Sequence, residues 1–90
     1  MIKDLGEHFS IYEGLISRHF FDDQTKYHVY IWKKQDKDTK TFLSVGQVYD
    51  KNSLCIYRHD FHYLIKEDEL IDVVRDLIKK AKPRPAGRLF

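Results

Sequence analysis

Hydrophobic and polar residues alternate most regularly in the middle of the chain. Across Tyr27 to Lys33, Tyr27, Val29 and Ile31 share one parity, and His28, Tyr30 and Trp32 share the other. The segment is β-branched and aromatic as well as alternating, which predicts a strand with one face buried. The polar run Lys34 to Lys40 separates it from a second alternating segment, Thr41 to Tyr49. The pair predicts a hairpin with a loop of about four or five residues, with Gly46 marking a bulge or bend. Asp50, Lys51, Asn52 and Ser53 are turn formers, because Asn and Asp tolerate left-handed backbone and bond to their own main chain. A third strand follows from Leu54 and is expected to run to about Tyr63.

From Glu67 to Lys82 the period changes. Leu70, Ile71, Val74, Leu77, Ile78 and Ala81 recur at helical spacing, with Asp72, Arg75, Asp76, Lys79 and Lys80 filling the opposite face. The acidic first turn and basic last turn suit the helix dipole, and Pro83 and Pro85 stop the helix. The first 26 residues fit two patterns. Ile2, Leu5, Phe9, Tyr12, Ile16 and Phe20 follow a helical stripe, whereas Phe9, Ile11 and Leu15 also suit a strand. Gly6 and Gly14 weigh against a helix, since each interior glycine costs about 1 kcal/mol, so the expectation is a helix start or coil and then a strand from about Phe9 to Arg18.

These elements define an α+β fold: an antiparallel β-meander of three to four strands packed on one C-terminal amphipathic helix, with an N-terminal segment that is helix or strand. Residues 1–82 are expected to form a single domain, and 83–90 a basic tail containing Pro and Arg. A chain of 90 residues hides only roughly 60 to 65% of the surface its unfolded form exposes, so the core is thin and a partner subunit is plausible.

Candidate chemistry is sparse. Cys55 has no intramolecular partner for a disulfide, no Cys/His spacing suits zinc, and its apolar strand context predicts a packed thiol rather than a nucleophile. His59 and His62 would share a face on a helix but point to opposite faces on a strand, and the strand reading leaves no metal site. His8, His19 and His28 show no ligand-like spacing, and no serine or glycine motif suits nucleophilic catalysis or phosphate cradling. The expectation is therefore a non-enzyme without cofactor or metal. The first residues do not match a secretory signal and no apolar run is long enough to span a membrane, so a cytoplasmic location is expected.

Charge and aromatic content add more. The formal net charge of +2 conceals segregation into alternating acidic and basic blocks, and Lys79, Lys80, Lys82, Arg84 and Arg88 face no acid in the last twelve residues. A single helix can cover one sheet face only. With Tyr27, Val29 and Ile31 beneath it, Tyr30 and Trp32 fall on the other face, and Tyr57 on the third strand is expected to join them. Lys33, Lys34, Lys37, Lys40 and Arg58 supply charge near that face. The order of strands and one C-terminal helix, with Ile56 to Phe61 at the passage between them, is similar in topology to PUR-type single-strand-binding domains. This analogy implies a sheet face that accepts nucleic acid.

Two functions fit. The first is a non-enzymatic protein-interaction module, a regulatory, accessory or inhibitor protein that binds another protein or self-associates as a homodimer. Its anchors would be Tyr30, Trp32 and Tyr57, with Leu89 and Phe90 as a docking tail. The second is a regulator that binds single-stranded DNA or RNA, stacking bases on the same aromatics and holding phosphates with the lysines, Arg58 and the basic tail.

Overall fold

A computed structural model describes residues 1–10 and 15–81. Five strands, β1 (Ile2–Phe9), β2 (Ile16–Asp22), β3 (Tyr27–Gln35), β4 (Phe42–Tyr49) and β5 (Cys55–Asp60), are followed by a 3-10 turn, Glu67–Glu69, and helix α1 (Leu70–Ala81). The strands form one sheet in the order β1-β2-β3-β4-β5, each pair antiparallel. The architecture is the expected α+β meander with one C-terminal helix, but with five strands rather than three or four.

The extra strand comes from the N-terminal segment, which is a hairpin: it is neither a helix start nor one strand from Phe9 to Arg18, since β1 ends at Phe9 and β2 begins at Ile16. The helical stripe there is not a buried face, since Leu5 is 49% and Phe9 64% exposed. Gly6 instead sits at φ +93° beside a register shift between Asp4 and Gly6, so it supplies a bulge that an L-residue would strain.

Aspartates organise the other connections. In the β2–β3 turn, Asp22 Oδ2 accepts from the Thr25 hydroxyl at 2.7 Å. In the β3–β4 loop, Asp36 Oδ1 accepts from the Asp38 amide. Between β4 and β5, Asp50 Oδ1 accepts from the amides of Asn52 and Leu54 at 2.8 and 3.0 Å. Each turn carries one residue in the left-handed region, respectively Lys26, Lys40 and Ser53. The side-chain bonds offset that conformational cost.

Helix α1 packs on β3, β4 and β5. Val74, Leu77 and Ile78 meet Phe20, Val29, Ile31 and Val48 in the core, and Tyr57 and Phe61 pack against its margin. Beyond the helix N-terminus, Arg18 joins three elements. Its guanidinium bonds to Asp4 on β1 and to Glu67 in the 3-10 turn, and lies 5.9 Å from the centre of the Phe20 ring.

Three local expectations change. β5 ends at Asp60 rather than near Tyr63, because the chain turns away while keeping backbone contact through Ser44: Phe61 N donates to Ser44 O, Ser44 N to Tyr63 O, and Ile65 N to Ser44 Oγ. Gly46 is no bulge, since its register with Ile31 and His59 is regular. A Cβ there would stand 2.7 Å from Leu77 Cδ1 and 3.3 Å from Phe61 Cε1, so glycine makes room for the helix. Cys55 is exposed on the sheet edge, not packed in the core.

Gly46→Ala is expected to destabilise the protein by about 1 to 3 kcal/mol through overpacking. Leu77→Ala alone is expected to cost about 2 to 5 kcal/mol. Urea denaturation of the double variant should show less than the sum, because shortening the side chain at 77 vacates the space that a methyl group on Gly46 needs.

Candidate functional site: the open sheet face

Strand alternation places side chains on two faces, and the register identifies them. Phe20, Val29, Val48 and Tyr57 lie in line across the helix side, as do Arg18, Ile31, Gly46 and His59. The opposite face carries His19, Tyr30, Gln47 and Arg58 in one row, Ser17, Trp32, Val45 and Asp60 in the next, and Phe21, His28 and Tyr49 in a third. No described helix covers this second face.

The open face is held by ring contacts. His19 stacks on Tyr30, its direct cross-strand partner, with centroids 4.3 Å apart and planes 12° from parallel. Tyr30 lies 6.2 Å from Trp32 and meets Tyr49 edge to face at 5.5 Å. Gln47 Oε1 accepts from Trp32 Nε1 at 2.9 Å and from the Tyr49 hydroxyl at 3.2 Å, so one amide oxygen fixes two rings. Two adjoining depressions flank Trp32, each about 430 Å³. One is lined by His28, Tyr30, Tyr49 and Ser53, and the other includes Lys34, Gln47, Tyr49 and Arg58.

A diagonal of imidazoles completes the face. His8 on β1, His19 on β2 and His28 on β3 have centroid separations of 5.6 and 5.0 Å, and His19 Nε2 lies 2.8 Å from His28 Nδ1. Burial pushes the His19 pKa down, and the neighbouring His28 and His8 push it the same way. Burial also raises the pKa of the Tyr30 phenol.

The residues expected at the site divide. Tyr30, Trp32, Lys34 and Arg58 share the open face. Tyr57 does not. It pairs with Val48 on the helix side, because a register shift beside Tyr49 changes which β5 residues face which way: Cys55, two residues earlier, pairs with Tyr49. Lys33 also faces the helix side, between Ile16 and Ser44, in a separate cavity with Arg18 and Glu7. Lys37 and Lys40 lie in the exposed β3–β4 loop. On the helix, Lys80 pairs with Asp76 at 3.0 Å, and Lys79 borders a crevice with Met1 and Asp22. Lys82, Arg84, Arg88, Leu89 and Phe90 lie outside the described residues.

The sequence reading missed the histidine diagonal and the bridging role of Gln47. Sequence spacing carries no sign of the diagonal. The register of two hairpins does, by bringing residues 8, 19 and 28 onto one face. His59, by contrast, meets Phe61 edge to face at 4.6 Å, and His62 lies beyond the strand.

The fold and face together define a sheet-plus-helix domain with one aromatic surface that no described element covers. Compared with protein-family models, curated proteins and solved structures, the chain finds no match. No helix among the described residues is long and apolar enough to cross a membrane.

The lowered His19 pKa has a defined effect on stability. The unfolded chain takes up this proton first, so acidification through about pH 6.5 favours the unfolded state until the folded pKa is passed. Thermal denaturation between pH 8 and pH 5 should show a Tm that falls on acidification, and His19→Gln should have a shallower decline over the same window.

Proposed function

We propose that this protein binds single-stranded nucleic acid on the open face of its sheet. The observation that carries this reading is the sorting of charge and rings between the two faces. Lys34 and Arg58 border the depression beside Trp32, and Lys3 shares the same side by register with Phe21. Among the described strand residues, Asp60 is the carboxylate whose register places it there, and Arg58 holds it at 2.9 Å. Asp4 and Glu67 are drawn to Arg18 on the helix side instead. A face of aromatic rings and cations suits a ligand with planar groups on an anionic backbone.

The depressions on both sides of Trp32 would accept neighbouring bases, and Lys34 and Arg58 would contact phosphates. Tyr57 and Lys33 have no part in this arrangement. Loop residues Lys37 and Lys40 would add longer-range attraction.

A second reading, the protein-interaction module, is favoured by the β5 edge. β5 is the last strand of the sheet, and Leu54 and Ile56 beside its edge are 63% and 37% exposed. An exposed strand edge is a template for an added strand from a partner or a second copy.

Fluorescence anisotropy with a labelled oligothymidylate separates the two. On the nucleic-acid reading, Trp32→Ala weakens binding about 5- to 150-fold, matching the stacking energy of a base. Lys34→Gln and Arg58→Gln each reduce the slope of log affinity against log salt by about 0.7. Circular dichroism confirms that the variants remain folded. No binding by the wild type, together with a mass above monomer in light scattering that Ile56→Lys abolishes, would select the interaction module.

A further inference from the structure

The histidine diagonal lies next to the aromatic centre, on the side away from Lys34 and Arg58. His19 connects the two regions, because it stacks on Tyr30 while bonding to His28. The His19–His28 bond needs one nitrogen to donate and the other to accept. If both rings carried charge, two N–H groups would face each other at 2.8 Å. In this geometry a second proton on the pair is disfavoured.

The surroundings among the described residues offer nothing that relieves that restriction. By register, Lys3 and His8 approach from β1, Phe21 lies beside His28 on β2, Tyr30 comes from β3 and Tyr49 from β4. No described carboxylate shares this part of the face by register. Asp60 is on β5, at the far edge of the sheet, and already pairs with Arg58. Relative to the described residues, an incoming phosphodiester would bring a new anion beside the row. It would accept imidazolium N–H bonds and offset repulsion between adjacent charged rings.

We propose that His8, His19 and His28 form a second phosphate-contacting strip of the nucleic-acid face, which becomes charged by taking up protons as the strand binds. The proposal rests on the nucleic-acid reading above. It extends the ligand path from β5 across to β1, with Tyr30 and Trp32 between two cationic margins. Binding and protonation are linked: each proton taken up on binding makes affinity rise by up to about tenfold per unit fall in pH, in the range where the free protein is uncharged at that site.

The experiment measures oligothymidylate affinity of the whole protein at fixed salt between about pH 8 and pH 6, with circular dichroism at each pH to confirm folding. The wild type should bind more tightly as pH falls. His8→Gln, on the exposed edge strand, should flatten that dependence while leaving affinity at the alkaline end within about twofold, and His28→Gln, which also changes the lining of the depression beside Trp32, should flatten it as well. In parallel, NMR of the His19 imidazole should show its titration moving to higher pH when the oligonucleotide is bound. Binding whose pH dependence is the same in the wild type and the His8/His28 double variant would overturn the strip and leave the nucleic-acid reading standing. Absence of binding at every pH would overturn both.

Discussion

A helix of twelve residues is roughly 18 Å long, too little to cover a five-stranded sheet on one side, let alone two. This shortage of cover is the constraint on which the rest of the structure depends. α1 is centred on β3, β4 and β5, where Gly46 lets Leu77 approach the sheet closely. The β1–β2 hairpin needs another tether on the helix side, and Arg18 provides it by joining Asp4 to Glu67. The paired guanidinium holds the Asp4 carboxyl below the usual carboxylate range, so this tether stays charged across neutral pH. Among the described residues no second layer covers the other face, which is held by its own rings, imidazoles and the Gln47 amide.

Local pattern alone is enough for the elements with an unambiguous period. Alternation in β3 correctly divides Tyr27, Val29 and Ile31 from His28, Tyr30 and Trp32, and the helical stripe Leu70, Val74, Leu77, Ile78 and Ala81 is buried as its spacing implies. β1 is illegible for a physical reason. An edge strand buries little, so its composition is weakly constrained, and the bulge at Gly6 breaks the alternation that would reveal it. Tyr57 is misplaced by a one-residue register shift, which reverses facing for everything beyond it. Gly46 looks like a bend because sequence shows a missing side chain without showing what occupies its space.

The candidate site is legible only where a single strand carries it. Tyr30 and Trp32 sit two apart on β3, so alternation alone places them together. The rest depends on pairing between strands: Gln47 meets Trp32 through the β3–β4 register, and His8, His19 and His28 meet through two hairpins. Linear charge blocks are similarly incomplete. Lys33 and Lys34 are neighbours in sequence, yet the first joins Arg18 and Glu7 on the helix side and the second joins Trp32 and Arg58 on the open side. What matters for a polyanion is charge per face.

Acid acts in opposite directions on folding and on the proposed binding. In the free protein, burial and neighbouring imidazoles oppose charge on His19, so acidification draws free energy from the folded state. On the proposed reading a bound phosphate would reverse the balance at the same ring, because the charge that repels its neighbours would then have an anion to meet. On that reading the face is least stable alone under the conditions in which it would bind a polyanion best. Ligand binding to the folded state should restore the stability lost to acid by mass action. A purely structural histidine cluster would lose stability on acidification in the same way with or without an oligonucleotide, whereas a phosphate-contacting strip makes that loss depend on ligand concentration.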